Sequence, residues 1–188
     1  MKIVEVDRST VGLLGKPSYL TVFRKEWTGE KHVSMFGALQ GLAKTWRPDR
    51  IVIDATGVGE GMWSWLDNAF GAEVVMPLKF KAKLKSELGY GFIGMIDSGR
   101  YHEYDPFPES LRKQMDKCRS EIVPGPAKLM RWGVPDGTRD RAAGELVNED
   151  DLITGAMCHI LDGLEWRLST GTVWTTPKDP LEGMDGHF

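Results

Sequence analysis

Residues 50–61 constrain this chain more than any other segment. Ile51, Val52 and Ile53 form a wholly apolar run that Asp54 closes, and Gly57, Gly59 and Gly61 follow at once. A strand that is apolar at every position must be covered on both faces, as strands of parallel α/β sheets are. Met62, Trp65, Leu66 and Phe70 then recur at helical spacing, and residues 73–78 read as a second buried strand. Strand, glycine turn, helix and strand make a β-α-β unit. In open α/β sheets ligands gather at the carboxyl ends of strands, which makes Asp54 the first candidate for chemistry. The competing reading is that Asp54 caps the turn or helix behind it.

The rest of the chain supplies the remaining layers. Residues 2–8 and 19–27 alternate apolar and polar positions and predict an antiparallel pair, joined by a loop over 11–18 that holds Gly12, Gly15 and Pro17. Val33, Phe36, Leu39, Leu42, Ala43 and Trp46 predict a helix over 32–46, ended by Pro48. Residues 81–99 are helical in tendency, another helix begins at Pro108, and a short hairpin is expected around 129–134. Asn148 or Glu149 is placed to cap a last amphipathic helix carrying Leu152, Ile153, Ala156, Met157, Ile160, Leu161 and Leu164. The expectation is one α/β domain over 1–168, with a mixed sheet and flanking helices, followed by a flexible tail over 169–188.

Composition removes several function classes. No apolar run approaches the roughly 20 residues needed to span a bilayer, and the charged start (Lys2, Glu5, Asp7) is unlike a signal peptide. Cys118 and Cys158 form no Cys-x-x-Cys pair, and His32, His102, His159 and His187 show no metal-binding spacing. Any metal is therefore expected on carboxylates, which favours a hard ion such as Mg²⁺ or Mn²⁺. A Walker loop is absent, and Met62 stands where a Rossmann fingerprint needs its third glycine. The net charge of −3 hides an uneven distribution, because residues 79–131 hold 11 Lys or Arg against 7 Asp or Glu.

Within this frame, Glu149-Asp150-Asp151 places three acids at a helix start, more repulsion than capping needs, and a cation would relieve it. If that helix crosses the sheet, Asp151 can face Asp54, and carboxylates around two divalent ions suit phosphodiester hydrolysis. Lys79, Lys81, Lys83 and Lys85 come at every second residue after the strand 73–78 and are candidates for phosphate contact. Of seven tryptophans, Trp132 and Trp174 fall in irregular segments where a base could stack.

Several segments together resemble the nuclease domain of the large terminase subunit of tailed phages. They are Glu26-Trp27-Thr28-Gly29, the run from Val52 through Asp54-Ala55-Thr56-Gly57-Val58-Gly59, Phe80 through Lys85-Ser86-Glu87-Leu88-Gly89, Ser98-Gly99-Arg100, and Glu149-Asp150-Asp151-Leu152-Ile153. The resemblance covers roughly residues 3–165 and implies a ribonuclease-H-like fold. It further implies a metal-dependent endonuclease that cuts concatemeric double-stranded DNA with two Mg²⁺ or Mn²⁺ ions. Asp54 and Asp151, with Asp150 beside it, match the family's acids, Lys85 matches a lysine near the site, and Arg100 in its matching segment joins the lysines as a DNA-contact candidate. The implied partners are double-stranded DNA, a terminase ATPase domain, the small terminase subunit and the portal, in the host cytoplasm. Two departures stand out. Glu149 replaces the family's usual histidine, and residues 2–7 match its second strand, so the first strand and its aspartate have no counterpart. Either residues 2–7 take that strand's place with Asp7 as first acid, or the strand is absent and the chain is a catalytically incomplete module that binds DNA or the packaging motor.

Overall fold

The computed structural model describes residues 1–140 and 144–166, so the expected tail and Trp174 lie outside the described residues. β1 (Lys2–Asp7) and β2 (Ser18–Arg24) pair antiparallel. Their connection holds one helical turn, α1 (Val11–Leu14), where the glycines predict only loop; Gly15 closes it at φ 70°. α2 (His32–Trp46) has the bounds its periodicity predicts and stops at Arg47, one residue before Pro48. β3 (Ile51–Asp54), α3 (Gly59–Phe70) and β4 (Val75–Leu78) form the expected parallel unit, with Ile51 opposite Val75 and Asp54 opposite Leu78.

α4 (Ala82–Asp97) leads to β5 (Tyr101–His102), which adds to β2 in parallel. α5 (Glu109–Lys117) starts after Pro108. Only β7 (Met130–Gly133) falls within the hairpin expected at 129–134; its antiparallel partner is β6 (Arg119–Ile122), and α6 (Asp150–Ala156) tightens into a 3-10 helix over Met157–Gly163.

The fold is mixed α/β of the ribonuclease-H-like type, but its strands are divided. β1-β2-β5 form one sheet, β3-β4 a second, and β6-β7 a third. A common core holds the two larger sheets together. Val4 and Val6 from β1, Val52 from β3 and Met76 from β4 all pack against one cluster, which includes Leu88, Phe92 and Met95 of α4 and Leu152, Ala156, Met157 and Leu161. On the other face of β3, Ile51 and Ile53 join Val75, Met62, Leu66, Phe36 and Leu39. Alternation on β3 thus feeds two clusters, which is why no polar residue interrupts it before Asp54.

A buried clamp ties β2 and β5 to the C-terminal helix. Tyr19 donates to Asp162 Oδ1 at 2.7 Å, and Arg100 grips both oxygens of Asp162 at 3.0 and 2.9 Å. Arg100 also donates to the Pro17 carbonyl at 2.8 Å. Burial alone raises a carboxyl, but the His159 ring 3.5 Å away and hydrogen bonds from Arg100 and Tyr19 outweigh it and hold Asp162 well below the usual carboxylate range.

Because the folded-state value is depressed, the contribution of Asp162 to stability is complete above the unfolded carboxylate value and lost as pH falls toward the folded one. Asp162→Asn is expected to cost about 3–5 kcal/mol near neutral pH, since it leaves the Arg100 charge buried without a counter-ion. Urea unfolding should show the gap between the two proteins narrowing below about pH 4; a gap independent of pH would refute the ionic account.

Candidate functional site

Asp54 is exposed at the end of β3, and its Oδ1 accepts from the backbone N–H of Thr56 at 2.8 Å. Thr56 Oγ1 in turn accepts from the Phe80 N–H at 2.9 Å, linking the turn after β3 to the segment after β4. The glycine-rich run is explained by this turn. Gly57 adopts φ 56°, and a side chain at Gly59 would place its Cβ 2.1 Å from the Asp54 carbonyl oxygen. Gly61 faces open space and carries no such constraint.

Asp151 has the opposite environment. Its side chain is 3% exposed, and Arg24 Nη1 lies 2.5 Å from Oδ2. Lys2 Nζ lies 3.8 Å from Oδ1 and Ser110 Oγ 3.5 Å from Oδ2. Lys2 is itself buried, pairing with Glu103 and donating to the Tyr101 hydroxyl at 2.8 Å, while Tyr101 donates to Glu103. Burial, then the Glu103 hydrogen bond, push the Tyr101 phenol well above its ordinary range and keep it a donor. Gln114 receives the Leu152 N–H at 2.9 Å and satisfies the first turn of α6. Four charges, two of each sign, therefore meet in the interior.

The other acids are placed apart from this cluster. Asp150 is exposed in the first turn of α6 and its carbonyl accepts from Thr154. Asp7 is exposed at the end of β1, where hydrogen bonds from Ser9 hold its carboxyl below the usual range. Glu149, the residue standing where the family has histidine, accepts from Lys85 at 2.6 Å and from the Val134 N–H at 2.9 Å.

The basic candidates divide in the same way. Lys79 and Lys83 are exposed, with long ion pairs to Glu60 (3.6 Å) and Glu87 (3.8 Å), and Lys81 is exposed at the residue before α4. These three lie beside the carboxyl ends of β3 and β4, since Leu78 is the register partner of Asp54. Lys85 is turned to Glu149, and Arg100 is buried in the clamp with Asp162. Trp132 belongs to the core and donates to the Lys85 carbonyl at 2.5 Å.

No family model and no curated protein matches this chain. Among solved structures it is similar to the large terminase nuclease from thermophilic phage G20c with bound cobalt. The TM-score is 0.57 at 13% identity, over 85% of this chain and 80% of the other. The likeness establishes the fold. A metal is a separate question, and the residues in place do not fit one. Asp151 already faces a guanidinium and an ammonium, and among the described residues no three His, Cys, Asp or Glu come together to hold an ion.

Lys2, Arg24, Glu103 and Ser110 were not singled out from the sequence. Lys2 had a signal, for it stands in phase with the inward-facing Val4 and Val6. Arg24 had none, because a bulge re-aims it. The register pairs Ile3 with Phe23 but Val4 with Thr21, so Val22 is the extra residue that brings Arg24 opposite Lys2.

The turn behind Asp54 can be tested by paired substitutions. Gly59→Ala is expected to cost roughly 1–3 kcal/mol because backbone must move. Gly61→Ala in the same helix is expected to be neutral or to add up to about 1 kcal/mol. Equal effects in urea denaturation would remove the steric account.

Proposed function

We propose that this chain is a terminase-type nuclease domain that holds double-stranded DNA during phage DNA packaging. Its DNA-facing surface is the strand-end edge of β3 and β4. One juxtaposition carries the reading: Lys79, Lys81 and Lys83 surround the start of α4 beside the strand ends that also present Asp54. The first turn of α4 has no acid, so lysine charge adds to the positive end of the helix dipole. A phosphate there relieves the repulsion and finds backbone N–H donors. The likeness to a terminase nuclease supports DNA as the polyanion. Within this reading the partners are the terminase ATPase domain, the small subunit and the portal, in the host cytoplasm.

Cutting of concatemers with two Mg²⁺ or Mn²⁺ ions is the second reading, supported by the cobalt bound to the similar nuclease. It assigns Asp54, Asp151, Asp150 and Asp7 as the acids. Against it stand the exposed turn-capping role of Asp7 and the ion pairs of Asp151. On the first reading the chain binds DNA without needing a metal.

Fluorescence anisotropy with a short duplex should show binding in EDTA that weakens with salt. Substituting Lys79, Lys81 and Lys83 by alanine should make the log–log salt slope shallower by about one unit per lysine. An unchanged slope would sink the DNA-facing assignment. Plasmid incubated with the chain and Mn²⁺ is expected to stay intact. Nicking that disappears in both Asp54→Ala and Asp151→Ala would replace the first reading with the second.

A further inference from the structure

The Asp151 cluster has a property that the DNA-holding reading does not require. Glu103 and Asp151 are both buried carboxylates, with side chains 2% and 3% exposed, and one ammonium faces both. The Lys2 side chain is 1% exposed, and its Nζ is surrounded by Glu103, the Tyr101 hydroxyl and Asp151. Oxygen atoms converging on a buried cation are the surroundings that a hard metal ion takes. Arg24 adds a second positive charge on the other oxygen of Asp151.

We infer that Lys2 and Arg24 are resident counter-ions of the Asp151–Glu103 pair, occupying the place a divalent cation would need, so that Asp151 takes no metal in this chain. Both buried carboxylates already have a cation in place, with Arg24 shared between Asp151 and the half-exposed Glu26 at 2.8 Å. An added divalent ion would put surplus positive charge beside a buried lysine and arginine, which the low-dielectric interior penalises strongly. The placement of Arg24 by a bulge, opposite Lys2, supports it independently. Like charges directly across a strand pair repel, and they are tolerated only where anions lie between or above them. The inference deepens the DNA-holding reading by giving a reason for binding without cutting. It can fail separately, because its test contains no DNA.

Thermal unfolding of the full chain in EDTA and in Mn²⁺ tests it, with Asp151→Asn and the double variant Arg24→Gln/Asp151→Asn beside the wild type. The wild-type midpoint is expected to be the same in EDTA and Mn²⁺. In EDTA, Asp151→Asn should unfold lower by on the order of 10 °C, because Arg24 loses its buried counter-ion and keeps only the half-exposed Glu26. The double variant should regain part of that loss, since it no longer buries an orphaned charge. A Mn²⁺ stabilisation that persists in Asp151→Asn comes from an ion held elsewhere and leaves the inference standing. A wild-type stabilisation by Mn²⁺ that vanishes with Asp151 would overturn it, as would a double variant no more stable than Asp151→Asn. If Asp151→Asn alone does not fold, the double variant carries the same Mn²⁺ comparison against the wild type.

Discussion

Four charges that cannot leave the interior set the terms for this fold. Lys2, Arg24, Glu103 and Asp151 come from β1, β2, the end of β5 and α6, and each side chain is at most 13% exposed. Singly, any of them would be too costly to bury, since an unpaired charge in a low-dielectric interior loses several kcal/mol of hydration. Together the four are neutral, with Glu26 reaching Arg24 from the surface, and each is held near its buried counter-ion only if all four elements are in register. Ser110 and Gln114 from α5 add hydrogen-bonding groups at the same place. The cluster therefore fixes how α5 and α6 lie against the first sheet, more sharply than apolar packing would. Apolar contacts tolerate sliding, whereas paired charges do not.

The division of the strands makes that cluster more consequential. β1-β2-β5 and β3-β4 share no backbone hydrogen bonds, so the ladder that would lock a single sheet is absent between them. What joins them is side-chain packing on α4 and the C-terminal helices, to which the Arg100–Asp162–Tyr19 clamp anchors the first sheet. The two polar centres sit at either end of β5. Tyr19 and Arg100 lie at its start, and Glu103 follows its last residue. A two-residue strand is thus held by buried charge on both sides, which accounts for its presence where neither length nor apolar pattern predicts a strand.

Much of the fold was legible because the relevant signals are local. Helix α2, the β3-α3-β4 unit and the paired β1 and β2 follow from apolar periodicity or apolar runs confined to short stretches of chain. β6 was missed because all four of its residues are exposed, leaving no apolar alternation to read. The split sheet was not legible either, since strand pairing depends on neighbours far along the chain. The candidate site was half legible for the same reason. Asp54 and the three exposed lysines lie within 30 residues of one another and were found by spacing. The partners of Asp151 lie at positions 2, 24 and 110, and one of them is aimed by a bulge that the sequence does not announce.

The contrast between Asp54 and Asp151 shows how one fold can give two acids opposite surroundings. The two acids belong to matching segments of one family resemblance, yet one is exposed over a glycine turn and the other is neutralised inside. At the β3-β4 edge, Lys79 and Lys83 make only long, exposed pairs with Glu60 and Glu87, and Lys81 and a helix N-terminus add further positive charge in solvent, where an anion can reach it. At the α6 start, acids that look unpaired in sequence are cancelled by a lysine and an arginine, so that interior does not prefer a cation. Fold likeness at 13% identity speaks to the backbone that places these groups, and the sign of the ligand is decided afterwards, by which charges the fold leaves unmatched.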